Sequence, residues 1–281
     1  MAKVTSVKPS VQRKTTKKKK SVFPFKAIFI FLFLIGIIYS AYHYRSAMLH
    51  FFNFNSNRCY NDDKVAKAHI IDLLSTHKDL TFGIDISRYQ GEINWRKVNL
   101  YNKKFPLQFV FINATAGSEK KDARFDKNWK LAKQNNFICG AYHYYRPNEN
   151  SIDQANNFIN SVNLQKGDLP PVLDIENVSE NQSIENLKVG LKRWLSIVRR
   201  HYKVPPIIYT SEKFYNDYLK QDFKGYNFWI ANYNFNIKYI KEDWLFWQFS
   251  KKARIEGIKE NVDINIYNGT PKMLQYLTIS N

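Results

Sequence analysis

The sequence predicts an α/β fold, an irregular TIM-like barrel of five βα units and three further strands, preceded by a single N-terminal transmembrane helix. Three observations carry that expectation. Strand-like apolar runs alternate with amphipathic stretches from residue 82 to residue 220, the rhythm of βα units on a parallel sheet. After residue 221 the rhythm yields to strand-like runs with no long helical pattern between them. Ahead of both lies an uncharged apolar stretch behind a dense basic run.

Taken in order, residues 1–26 hold nine cations and no acid, from Lys3 to Lys26, which reads as a cytoplasmic basic tail. They carry nearly half of the net charge of +19, leaving +10 for the other 255 residues. The run AIFIFLFLIGIIYSAY (27–42), or 27–44 with His43 and Tyr44, is just long enough to span a bilayer. Basic residues before it favour an inside N-terminus, and no A-x-A cleavage site follows, so a membrane anchor is favoured over a cleaved signal peptide. The C-terminal portion would then be extracytoplasmic. Residues 45–79 read as a stem, with a short helix in NDDKVAKAHIIDLL (61–74) that either packs on the domain or spaces it from the membrane.

The globular domain is expected over 80–281. Its strand-like runs are FGIDIS (82–87), LQFVFINA (107–114), ICGAYHYY (138–145), PVLDIE (171–176) and PIIYT (206–210), then FWIAN, LFWQFS and VDINIY. Helical spacing appears in ARFDKNWKLAKQNN (123–136), SIDQANNFINSVN (151–163), SIENLKVGLKRWLSIVRRHY (183–202) and SEKFYNDYLK (211–220), and more weakly in INWRKVNLYN (93–102). Eight strands suit a closed barrel.

The chemistry is concentrated in LPPVLDIENV (169–178), where Asp174 and Glu176 interrupt an apolar run. An ionised carboxylate in a buried strand is costly unless something pairs or uses it. Two residues apart, the pair shares one face, about 7 Å apart, at the strand's C-terminal end, where barrel active sites are built. Asp85 near the end of the first strand and Asp263 in the last occupy matching positions, and closure makes those strands neighbours. Each acid alone could be a salt-bridge partner or a loop cap. Together they form a mouth in which repulsion keeps one carboxyl protonated near neutral pH, as glycoside hydrolysis requires.

Competing chemistries lack their motifs. The six histidines have no ligand spacing and no phosphate-binding Gly-rich loop occurs, so neither metal nor cofactor is expected. Cys59 and Cys139 make no disulfide framework, and Cys139 in FICGAYHYY reads as a buried thiol. The basic tail serves as a topology signal, so nucleic acid is not an expected partner.

The domain resembles the glycoside hydrolase family 25 lysozymes, the N-acetylmuramidases, through GIDISRYQGEINW (83–95), DARFDKNWKLAKQNNFICGAYHYYRP (122–147), DQANNFINSV (153–162), PPVLDIE (170–176), PIIYTS (206–211), FWIANY (228–233), WQFS and GIKENVDINIYNG (257–269). That resemblance implies a barrel of the kind counted above and cleavage of the β-1,4 bond between N-acetylmuramic acid and N-acetylglucosamine in peptidoglycan. It implies Glu176 as general acid, Asp174 positioning the substrate N-acetyl group or stabilising charge, and Asp85 and Asp263 completing the cluster. Tyr142, Tyr209 and Trp247 are candidate sugar contacts, or alternatively core aromatics. The second strand departs from the family's K-A-T-E-G: Asn113 and Ala116 stand where lysine and glutamate are usual. That departure motivates a second reading, a non-catalytic peptidoglycan-binding barrel. The chain is expected to act as a monomer.

Overall fold

The computed structural model describes residues 62–100 and 103–280, together with Ile30, Phe33, Leu34, Ile35 and Tyr39. The basic tail and the stem up to residue 61 therefore lie outside the described residues, as does the 27–44 span apart from those five positions. Among the described residues no helix is long and apolar enough to cross a membrane.

Eight strands close into a barrel: β1 (Thr81–Ile86), β2 (Leu107–Ala116), β4 (Ile138–Tyr144), β5 (Val172–Asp174), β6 (Ile207–Ser211), β7 (Phe228–Ala231), β8 (Phe246–Ala253) and β9 (Val262–Tyr267). Neighbours are parallel from β1 through β8, and β9 runs antiparallel between β8 and β1, which closes the ring. A two-residue β3 (Lys120–Lys121) folds back on the end of β2 and was not anticipated.

The helical layer follows the expected spacing with three differences. Helices α2 (Phe125–Gln134), α3 (Ser151–Ser161) and α4 (Ile184–Tyr202) fall where they were expected. Ser183 caps α4, accepting from the Asn186 N–H at 3.2 Å, and Leu187, Leu191, Trp194, Leu195 and Val198 form its buried stripe. Among the described residues the first crossover forms two 3-10 turns, Arg88–Gln90 and Trp95–Lys97, in place of the helix expected over 93–102. The stretch after β6 is a helical turn, Glu212–Phe214, running into a π-type turn, Tyr215–Leu219. The C-terminal Pro271–Leu277, a helix begun by a Thr270 cap and a proline, was not anticipated.

Helix α1 (Asp62–Thr76) packs on the domain. Ile70, Leu73 and Leu74 are fully buried. His69 stacks on Phe235 with ring centroids 4.2 Å apart, and His77 Nε2 lies 2.7 Å from the Lys238 carbonyl.

Inside the barrel, alternation along each strand builds two storeys. The lower is aromatic: Phe111 stacks on Trp229 at 4.5 Å, and Phe246 meets Phe109 and Phe111, both at 5.2 Å. Gly83 and Gly140 make room for this plug, since a Cβ at either would lie 2.4 Å from the ring of Phe109 or Phe111 respectively. The upper storey holds the acids.

Candidate active site

The C-terminal ends of the parallel strands open on a pocket of about 240 Å³ lined by Asp85, Tyr142, Asp174, Glu176, Tyr209, Trp229, Tyr233, Gln248, Lys251 and Asp263. All four sequence-predicted acids are here. Asp85 is the last but one residue of β1 and stands directly opposite Asp263 of β9 in the antiparallel register. Asp174 ends β5, paired with Tyr144 on one side and Tyr209 on the other. Glu176 follows two residues later, beyond buried Ile175, at the exposed rim.

Like charges directly opposite across a ladder are unfavourable, and the aromatic storey below denies these acids water. Burial raises Asp85 to about 6, with hydrogen bonds from Asn265 and Gln248 opposing it and Glu176 adding to it. Burial raises Asp263 to about 8, with Asp85 adding to it and Lys251 opposing it. Asp174 is held well above the ordinary carboxylate range by burial and by the charges of Glu176 and Asp85. Its Oδ1 has no hydrogen-bond partner among the described residues, which suits a protonated or substrate-facing group. Glu176 is also raised, by the protein packed around its carboxyl, against the pull of Lys251. The pocket therefore holds protons near neutral pH, and Glu176 is its solvent-facing acid.

A polar network orients Asp85. Its Oδ2 accepts from Gln248 Nε2 at 2.7 Å and from Asn265 Nδ2 at 2.8 Å. Gln248 Oε1 accepts the Tyr209 hydroxyl at 2.8 Å and the Tyr233 hydroxyl as well. Asn265 Oδ1 accepts the Trp229 indole N–H at 2.8 Å.

Of the aromatic candidates, Tyr142 and Tyr209 line the pocket and Trp247 does not. Trp247 points outward from β8, fully buried, its indole donating to the Asn232 carbonyl at 2.8 Å and its ring edge-on to His77. Its neighbour Gln248 takes the inward position. Gln248, Tyr233, Trp229 and Lys251 are pocket residues that the sequence reading did not single out. Lys251 stands with its ammonium 5.3 Å from the Tyr233 ring centroid. Asn113 and Ala116 lie at the end of β2 and do not line the pocket; Asn113 is half-buried, its amide 3.4 Å from the Thr115 carbonyl, beside a register shift against β4. His143 is buried between Thr115, at 2.7 Å, and Gln154, at 3.2 Å, and burial lowers it to about 4, a neutral structural imidazole. Cys139 is a buried free thiol. Among the described residues no group of three or more His, Cys, Asp or Glu side chains is placed to hold a metal ion.

Comparison with known proteins gives a consistent picture. The sequence profile described as glycosyl hydrolases family 25 matches residues 84–258. Lysozyme M1 of Streptomyces globisporus is 32% identical over 208 residues, 68% of this chain and 69% of that protein. The Escherichia coli (strain K12) protein YegX is 37% identical over 196 residues, 69% of this chain and 71% of that one. Among solved structures, a family 25 glycosyl hydrolase from Bacillus anthracis superposes with a TM-score of 0.64 at 27% identity, covering 72% of this chain and 95% of that one. A bacterial lysozyme from Streptomyces coelicolor gives 0.63 at 29% identity, covering 70% and 96%.

Proposed function

We infer the chemistry of this pocket from two facts: the chain belongs to the glycosyl hydrolases of family 25, and its barrel mouth gathers four carboxyls of which one, Glu176, faces solvent. The enzyme is a lysozyme-type hydrolase that cleaves peptidoglycan, at the β-1,4 bond between N-acetylmuramic acid and N-acetylglucosamine. The single observation that carries the assignment of roles is the graded burial of the acids. A glycosidic oxygen held at the mouth meets Glu176 first, and that carboxyl's raised pKa lets it deliver the proton as the bond to the leaving sugar breaks.

Asp174 sits behind it, buried, with an unpaired oxygen directed to the donor groups of a substrate such as an acetamide N–H. Asp85 is the fixed anion that faces positive charge developing on the sugar ring. Asp263 completes the cluster, and Tyr142 and Tyr209 form the walls against which a sugar packs. Fixed dipoles and charges already aimed at the reacting atoms need little reorganisation during the reaction.

The N-terminal sequence supports a tether: the uncharged 27–44 stretch behind nine cations reads as a single-pass anchor that leaves the barrel on the wall side. Such a protein should stay in the pellet after alkaline carbonate extraction and lose its barrel to protease added outside the membrane. Extraction into the soluble fraction would refute the anchor.

The test of activity uses full-length protein in detergent, incubated with purified peptidoglycan, with borohydride labelling of new reducing ends and mass spectrometry of the fragments. Wild type is expected to release fragments ending in reducing N-acetylmuramic acid, and Glu176→Gln to release none. Reducing N-acetylglucosamine ends would assign a different bond. A wild type that binds the polymer without cutting it would instead mark a wall-binding barrel.

A further inference from the structure

In the WQFS run the glutamine occupies the centre of the buried network. Gln248 and Asn265 are 2% and 0% exposed. Both give their amide N–H to one oxygen of Asp85, while Asp263, directly opposite, takes no hydrogen bond to its carboxyl from any described residue. We propose that Gln248 is a positioning residue that, together with Asn265, keeps Asp85 as the anion of the Asp85–Asp263 pair and leaves the shared proton on Asp263. The proposal deepens the reading of this pocket as a glycosidase site and rests on it for its kinetic consequence.

The orientation of each amide decides the matter. An indole N–H can only donate, so Asn265 must turn its oxygen to Trp229 and its NH2 to Asp85. This arm is fixed. Gln248 is held differently, since its oxygen receives the hydroxyls of Tyr209 and Tyr233, and a phenol can also accept. Were Gln248 to flip, its NH2 would face two phenol oxygens and its carbonyl oxygen would face Asp85. That contact is repulsive toward a carboxylate and attractive toward a protonated acid. Gln248 is therefore the movable arm, and its present orientation, oxygen toward the two phenols and NH2 toward Asp85, is the one that favours the ionised form.

The groups facing Asp85 complete the balance. Burial opposes its charge most, Glu176 from the β5 end adds to that, and Asp174 and Asp263 are themselves raised by the Asp85 charge. Tyr142, Tyr209 and Tyr233 are uncharged phenols around it, and the exposed Lys251 bears on Asp263 and Glu176. Among the described residues, only the two amide donors favour its anion. The lower value of Asp85, about 6 against about 8 for Asp263, agrees in direction.

Two measurements on the full-length protein test this. The first is infrared difference spectroscopy near pH 7, without substrate. Asp263→Asn should lose a signal of a buried protonated carboxyl that Asp85→Asn retains, titrating there at lower pH because the opposing charge is gone. Loss in Asp85→Asn with retention in Asp263→Asn overturns the proposal. The second is the pH profile of hydrolysis in Gln248→Met, an isostere without the donor. Its acid limb should move up by about one pH unit, the worth of one hydrogen bond to a charged group, while KM changes less than about twofold. Gln248→Glu, which brings a further carboxyl to Asp85, should move the limb at least as far. A folded Gln248→Met with an unmoved acid limb, or a loss confined to KM, overturns it. An inactive wild type would count against the hydrolase reading, and the infrared signal would still decide where the proton lies.

Discussion

The lower and upper storeys of the barrel interior are built on the same strands and the same pleat, yet their chemistry is opposite. Below, Phe109, Phe111, Trp229 and Phe246 interlock, with two glycines giving way to the rings. One residue pair further along the strands, Asp85 and Asp174 stand in nearly as dry a setting, 7% and 6% exposed, and Asp263 is half-buried at the mouth. Aromatic packing below is favourable on both counts, apolar burial and ring geometry. The acids above oppose folding, and in the function proposed above their displaced proton affinities serve the reaction. The floor also supplies the low-dielectric base that makes the acids unusual.

Breaking either storey should therefore give opposite signatures. Glu176→Gln at the rim is expected to lower kcat by at least about 10²–10⁴-fold, the usual worth of a general acid, and to leave the melting temperature within about 2 °C. Phe111→Ala in the floor should do the reverse. Truncating a fully buried phenylalanine costs about 3–5 kcal/mol, enough to lower the melting temperature by about 10 °C, while turnover by the still-folded fraction stays within a fewfold. Thermal scans and initial rates on the two variants decide it. A Phe111→Ala protein that is fully stable but inactive would show that the storeys are not separable.

The same contrast explains what could be read from the sequence. The acids were legible because a carboxylate in an apolar strand is rare, and because period-two alternation and closure together predict that Asp85 meets Asp263. Gln248 was not. In LFWQFS both faces of the strand are covered, one by the barrel interior and one by α1 and the β7–β8 connection, so no polar alternation marks the inner side. Trp247 and Gln248 must face opposite ways, and the sequence offered the tryptophan as readily as the glutamine. Tyr233 lies in the connection after β7, where no periodicity places it, and Lys251 reaches the mouth only because β8 slips register against β9 on both sides of Ser250. The first crossover illustrates the same limit: INWRKVNLYN has helical spacing, but the chain there pairs Asn99 with Glu256 and ties Asn94 to Gly257 at 2.8 Å. Tertiary contacts outweigh a weak local preference.

If the upper storey costs stability, removing a charge from it should restore some. Asp263 is raised from an unfolded value of about 4 to about 8, so the folded protein keeps a proton that the unfolded chain has released across that window. Its contribution is harmless below pH 4 and grows steadily unfavourable as pH rises toward 8. Asp263→Asn should accordingly melt with wild type at pH 4 and above it by about 5–10 °C at pH 9, a gain on the order of a few kcal/mol. A difference that is the same at both pH values would mean that packing, not charge, decides it. Catalysis should fall in the same variant.

The smallest effect, and the most selective, belongs to Lys251. Its ammonium lowers the proton affinity of Glu176 and Asp263, and it is not among the groups that shift Asp85. Lys251→Met removes a cation that favours two carboxylates, so both hold their protons to higher pH. If Glu176 must be protonated to donate and Asp85 ionised, as proposed above, the alkaline limb of the pH profile moves upward while the acid limb stays in place. The exposed lysine acts through solvent, so the difference between wild type and variant should shrink as ionic strength rises from about 0.01 to 1 M, where screening shortens from about 30 to 3 Å. Gln248→Met should show the complementary pattern, its acid limb moving with little response to salt, because amide hydrogen bonds inside the barrel are not screened. Both limbs moving together in either variant would mean that the pocket titrates as one unit, with no division between a fixed anion and a proton donor.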